Sequence, residues 1–336
     1  MSSQAIPLSV LDLCPVPQGS TPAQALNNAL ALAKHADILG YKRYWVAEHH
    51  NMTGIASAAT SVVIGYLAAG TQRLRIGSGG IMLPNHAPLQ IAEQFGTLES
   101  LYPGRIDLGL GRAPGTDQAT AQALRLGRGD GSDFPQMLDE LRGLFADPQP
   151  GQRLRAVPGA GLNVPIWLLG SSTFSAQLAG QLGLPFAFAG QFSPDYLHSA
   201  LSTYREHFQP SADLQKPHVM LGINAYVAES REQAHFLASS HQQAFLNLIR
   251  GTPGPMPPPV ADMSELWLPH EKHQVMSTLA GTLIGDELTV AQQMADLIER
   301  TGADELIVSS SIFDQAARQD SYSRLIKIAA GIQRPV

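Results

Sequence analysis

The chain has 336 residues, 44% hydrophobic and 15% charged, with a formal net charge of −6. That is enough for a sizeable core in one large domain or two ordinary ones, and the lack of a basic face argues against a nucleic-acid partner. A lone cysteine, Cys14, excludes an internal disulfide and a cysteine-based metal site. The N-terminal stretch reads as no signal peptide. The longest apolar run, around Ser61 to Gly70, is too short to span a bilayer, so a soluble cytoplasmic protein is expected.

Pro7 to Leu13 reads as a first strand. Ser20-Thr21-Pro22 opens a helix that stops at Gly40. Arg43 to Ala47 is a second strand, followed by Glu48-His49-His50 and a small-residue helix from Ser57 to Ala69. Arg73 to Gly79 is a third strand, Pro88 to Leu101 a helix, and Arg105 to Leu110 a fourth strand that empties into Gly-Arg-Ala-Pro-Gly. Helical stretches are expected at Asp117 to Arg128 and Ser132 to Phe145, then a loop from Asp147 to Asn163. Val164 to Leu169 is a fifth strand leading into Gly170-Ser171-Ser172-Thr173-Phe174-Ser175 and a helix to Leu182. Pro185 to Ala189 is a sixth strand, followed by a helix from Ser193 to Phe208. His218 to Ala228 is a seventh strand and Ser230 to Arg250 a long helix. The proline-rich stretch from Gly251 to Pro269 cannot be regular. Helical pattern resumes at His270 to Leu283 and Thr289 to Thr301; Glu305 to Ser309 is an eighth strand, and Gln315 to Ile332 a closing helix.

Strand-then-helix alternation calls for a parallel sheet with right-handed crossovers. Eight such units predict an α/β fold, a closed (β/α)8 barrel. An open doubly wound sheet is the competitor, but the first strand ends Asp12-Leu13-Cys14-Pro15, which is no dinucleotide fingerprint. The whole chain, 1–336, reads as one domain, with 251–285 as an insertion or lid.

Sites in such folds lie at the C-terminal ends of strands. Alternation puts Glu48 and His50 on one face and His49 on the other. An imidazole there suits acid–base work near neutral pH. The alternatives are polar residues solvating a strand end, or a metal site completed by His86 or His270, for which no HExxH-type spacing exists. Gly77, Gly79 and Gly80 permit close approach of a flat ligand, or form a plain turn. The hydroxyl-rich start of the helix after strand five suits phosphate, or simply caps itself. Arg112, at the end of the neighbouring fourth strand, favours the phosphate reading. Cys14, Trp45 and Trp167 read as packed core. Small residues at the mouth, such as Gly111, Ala113 and Gly190, leave room for an organic substrate.

Together Arg43-Tyr-Trp-Val-Ala-Glu-His-His50, Ile76-Gly-Ser-Gly-Gly-Ile-Met-Leu-Pro84, Pro103-Gly-Arg-Ile-Asp-Leu-Gly-Leu-Gly-Arg112 and Gly170-Ser-Ser with Gly183-Leu-Pro185 resemble the bacterial luciferase-like monooxygenases, over almost the whole chain. The resemblance implies a (β/α)8 barrel that binds FMN at its C-terminal mouth. It implies that His49, with His50 beside it, is an active-site acid/base. It puts Gly79-Gly80 at a non-proline cis peptide under the flavin ring, and Arg112, Ser172 and Ser175 at phosphate-binding positions. Ser171 stands where luciferase has a carboxylate. Gly111 stands where it has a reactive cysteine, and that departure, with the divergent loops, speaks against light emission and a long-chain aldehyde substrate. The implied activity is a monooxygenase using O2 and reduced FMN from a separate flavin reductase, on a small organic substrate, as a homodimer. A deazaflavin-dependent hydride-transfer enzyme and a non-catalytic flavin-binding protein are the alternatives.

Overall fold

Parallel strands close into a ring, and the chain supplies them in sequence order. The computed structural model describes residues 5–112, 118–124 and 131–332. Its elements are β1 (Leu8–Asp12), α1 (Pro22–Leu39), β2 (Arg43–Val46), α2 (Thr60–Ala69), β3 (Arg75–Met82), α3 (Pro88–Leu101), β4 (Ile106–Gly111), α4 (Gln118–Ala123), α5 (Phe134–Phe145), β5 (Ile166–Gly170), α6 (Thr173–Leu182), β6 (Phe186–Phe188), α7 (Leu197–His207), β7 (Val219–Val227), α8 (Arg231–Ile249), α9 (Pro269–Thr278), β8 (Leu283–Gly285), α10 (Glu287–Thr301), β9 (Glu305–Ser309) and α11 (Gln315–Ala330). Strands β1 to β7 pair in order, and β9 bonds to both β7 and β1, so eight strands make the expected (β/α)8 barrel. Of the helix expected over Asp117 to Arg128, only the part at α4 is described; Ala113 lies outside the described residues.

Two elements depart from the sequence expectation. The helix expected over His270 to Leu283 ends at Thr278, and β8 follows. β9 occupies β7 from Met220 to Asn224, and β8 takes the next three residues, Ala225 to Val227, so β8 is a ninth strand beside the ring. Its formation is a non-local event that helical periodicity cannot show. The third strand, expected to end at Gly79, runs on to Met82. Gly79 pairs with Gly109 and Ile81 with Leu110, leaving Gly80 as the extra residue of a bulge.

Helix ends follow local chemistry. Thr21 accepts from the Gln24 amide at the start of α1, and Gly40 closes that helix at φ +84°. Ser230, Asp286 and Asp314 cap α8, α10 and α11 in the same way. Alternation along the strands splits the core into two layers. Leu8, Val10, Tyr44 and Ile76 face the helices, whereas Leu11, Trp45, Trp167, Met220 and Ile307 fill the barrel. Trp45 and Trp167 are edge to face at 5.3 Å. Below them, at the N-terminal ends of the strands, Arg43 bridges Asp107 (2.6 Å) and Glu305 (3.0 Å) and stacks on Trp167. Every buried charge of that floor is therefore paired, as burial requires.

β3 and β4 approach so closely that only glycine fits between them. A Cβ on Gly109 would lie 2.1 Å from the Ser78 carbonyl oxygen, which is backbone and cannot swing aside. Gly109→Ala is expected to cost about 1–3 kcal/mol, read as a lower midpoint in urea with an unchanged slope; an unchanged midpoint would contradict this packing.

Candidate active site

The C-terminal mouth of the barrel opens into a cavity of about 600 Å³. Its walls come from nearly every strand end: Leu11 of β1, Gly79 and Gly80 of β3, Leu169 of β5, Phe188 of β6 and Ser309 of β9. Trp45 is its floor as well as core, a double role the sequence did not reveal.

Glu48, His49 and His50 follow β2 and divide as alternation expects. Glu48 turns away from the cavity and becomes a buried hub. Its carboxylate accepts from His50 Nε2 (2.8 Å), Asn85 Nδ2 (2.9 Å), His86 Nε2 (3.0 Å) and the Met82 amide (2.9 Å). Burial alone would raise its pKa, but the His86, Asn85 and His50 hydrogen bonds outweigh that and hold it below the ordinary carboxylate value. His50 is thereby committed to Glu48 and does not line the cavity, so the structure separates it from His49. His86 is bound to the same carboxylate, and among the described residues no group of three or more His, Cys, Asp or Glu side chains is placed to hold a metal.

His49 points into the cavity, and its buried Nδ1 has no hydrogen-bond partner among the described residues. Burial pushes its pKa below 6.5, against the raising influence of Glu48. A buried imidazole with an unmet polar atom facing a cavity is poised to meet a ligand there.

The Gly79-Gly80 peptide is cis and borders the cavity. Across from it, Arg112 leaves the end of β4, and its guanidinium sits 4.3 Å over the Phe174 ring in the first turn of α6. Ser171, Ser172 and Ser175 line the cavity beside it. Ser172 is the N-cap residue of α6 but makes no side-chain cap bond, so the cap reading of the sequence fails and its hydroxyl is left to the cavity. Gly111 lines the cavity; Gly190 does not, because Gly190 packs against the Gly222 carbonyl. Cys14 is fully buried, with its amide bound to Asp12, and burial raises its thiol pKa further.

The segment 251–285 covers part of the mouth. Met256 exchanges backbone bonds with Val16 and Gln18 (both 2.8 Å), and Pro253, Gly254 and Met256 reach the cavity. A residue group missed by the sequence reading sits on α8: His241, Ala244, Phe245 and Leu248 also line it. Only the helical position of His241 one turn before Phe245 could have signalled this.

A family model described as luciferase-like monooxygenase matches residues 7–305. The chain belongs to the luciferase-like monooxygenase family. It is 54% identical over 323 residues to a luciferase-like monooxygenase of Escherichia coli (strain K12), covering 96% of each chain. It is 32% identical over 329 residues to the N-acetyl-S-alkylcysteine monooxygenase of Bacillus subtilis (strain 168), covering 95% of this chain and 97% of that one. Among solved structures, apo-MsnO8 superposes with a TM-score of 0.85 at 34% identity, over 96% of this chain and 98% of that one. Two others share the fold. The oxygenating component of the Pseudomonas putida 3,6-diketocamphane monooxygenase, solved with FMN, gives a TM-score of 0.71 at 16% identity, covering 99% of this chain and 100% of that one. An F420-dependent secondary alcohol dehydrogenase gives 0.63 at 15%, covering 97% and 99%. Membership of this family makes the protein an oxidoreductase of monooxygenase type. No helix among the described residues is long and apolar enough to cross a membrane.

Proposed function

We propose that this luciferase-like monooxygenase uses reduced FMN and O2 to oxygenate a small organic substrate. The observation that carries the reading is one cavity joining an unpartnered buried imidazole, His49, to a guanidinium-and-hydroxyl cluster, Arg112 with Ser171, Ser172 and Ser175. The donor set fits a flavin phosphate: a planar cation beside the free amides at the N-terminus of the ten-residue α6. FMN is favoured over the deazaflavin coenzyme because the relatives at 54% and 32% identity are named monooxygenases, whereas the F420 enzyme shares only the fold.

When bound and reduced, the flavin would supply the electrons that activate O2. Arg112 and the serines would hold the phosphate. Gly79 and Gly80 would give a flat ring room against the β3 edge. His49, kept neutral by burial, would accept or return a proton beside the ring. The apolar wall and the 253–256 strap would exclude water from the reacting atoms. Electrons would come from a separate flavin reductase, and the cytoplasm is the compartment where such a partner is expected. A homodimer would use α2, where Val62 and Tyr66 are exposed at 71% and 40%.

Phosphate binding by Arg112 has a selective signature. Arg112→Met is expected to weaken FMN binding about 10–100-fold, the value of a charge-assisted hydrogen bond, and to leave riboflavin, which lacks the phosphate, nearly unchanged. Fluorescence titration with both flavins reads this. An equal loss for FMN and riboflavin would remove the phosphate from this corner.

A further inference from the structure

The cavity also carries a polar group to which the proposed flavin site gives no role. His241 lies on α8, which follows β7, three positions around the ring from the β2 end that carries His49. Its Nδ1 is 2.6 Å from the Tyr226 hydroxyl, and its ring stands edge to face on Phe245 at 4.9 Å. Tyr226 is a fully buried residue of β7, so its hydrogen bond cannot be exchanged for one to water.

The 2.6 Å contact by itself fits either ring tautomer. Burial raises the Tyr226 pKa, opposed by the Ser311 amide, so the phenol keeps its proton. Burial also pushes His241 down to about 4, so the imidazole is neutral. A neutral imidazole has one donor and one acceptor nitrogen. The Ser311 amide donates to the Tyr226 oxygen, so the phenol is assigned as the donor to Nδ1, and Nε2 then carries the hydrogen. Among the described residues Nε2 has no hydrogen-bond partner, and His241 lines the cavity. The lining it shares includes Phe192, Phe245, Leu248 and Met256, beside the polar Gln191, Asn224, Thr278 and Ser311.

We propose that His241 positions the substrate: its Nε2–H donates to a neutral acceptor, a carbonyl oxygen or its equivalent, on an otherwise apolar molecule, with Tyr226 holding the imidazole in the donor tautomer. A carboxylate or phosphate is disfavoured there, because the donor is neutral and supplies no countercharge. The assignment deepens the reading of the cavity as a monooxygenase site, because it names the chemistry of the group that would lie opposite the flavin.

The test uses the whole protein and two probes of one shape, acetophenone and ethylbenzene. In histidine-labelled wild-type protein at neutral pH, nitrogen NMR is expected to show His241 neutral with hydrogen on Nε2, and acetophenone to shift that resonance. His241→Phe is expected to weaken acetophenone about tenfold and to leave ethylbenzene unchanged. Tyr226→Phe, which frees the tautomer, is expected to weaken acetophenone by less. An Nδ1–H tautomer, equal losses for both probes, or no acetophenone binding to wild type at its solubility limit would each overturn the assignment. Wild-type FMN affinity, measured separately, tells failure of the flavin reading apart from failure of the His241 reading.

Discussion

His49→Ala is expected to lower kcat by about 10²–10⁴-fold, the range for loss of a positioned acid or base, while FMN affinity changes little. The split follows from position. His49 meets the cavity through an imidazole with an unpartnered buried nitrogen, whereas the phosphate donors sit at α6. The pH profile carries a second signature. Burial lowers the His49 pKa from 6.5, so the neutral form persists into more acidic solution. The acid limb of kcat that belongs to His49 therefore lies below pH 6.5 and disappears in His49→Ala. An acid limb centred above 6.5, or an alanine variant with full turnover, would remove His49 from proton transfer.

Glu48→Ala is expected to destabilise the fold by about 3–5 kcal/mol, the cost of breaking a buried charged network by removing one partner. Four donors lose their acceptor at once: His50, Asn85, His86 and the Met82 amide. The carboxylate joins the end of β2 to the turn after β3, so its loss also frees the segment that presents His49. Glu48→Gln keeps the shape and is expected to cost less. It also isolates the pH term. The folded pKa of Glu48 lies below its ordinary 4.5, so its contribution is fully present above pH 4.5 and is lost as pH falls through the folded value. The wild-type protein is therefore expected to lose stability below pH 4.5 more steeply than Glu48→Gln, as read by chemical denaturation. Parallel curves for the two proteins would show that Glu48 is not held ionised by its neighbours.

The barrel was legible in the sequence because its units are local: Thr21-Pro22 starts α1, Gly40 ends it, and the apolar spacing at Ile91, Phe95 and Leu98 marks α3. Of the residues singled out in the sequence, His49, Gly79, Gly80, Arg112 and the serines, all near strand ends, reach one cavity. Three things were not legible, each because it depends on distant partners. β8 exists by pairing with the part of β7 that β9 leaves free. Alternation already sets His50 apart from His49, but does not show its capture by Glu48 in a hub that also gathers Asn85 and His86 from beyond β3. His241 is an ordinary helical residue until α8 folds over the mouth and Tyr226 orients its ring.

The most direct test of the proposed chemistry is an anaerobic titration of the purified protein with reduced FMN and, separately, with reduced F420, followed by admission of O2. The expected result is micromolar or tighter binding of reduced FMN, weaker binding of F420, and O2 consumption matched to flavin reoxidation in the complex. Tight F420 binding with no response to O2, or no binding of reduced FMN at high micromolar concentration, would contradict an FMN-dependent monooxygenase.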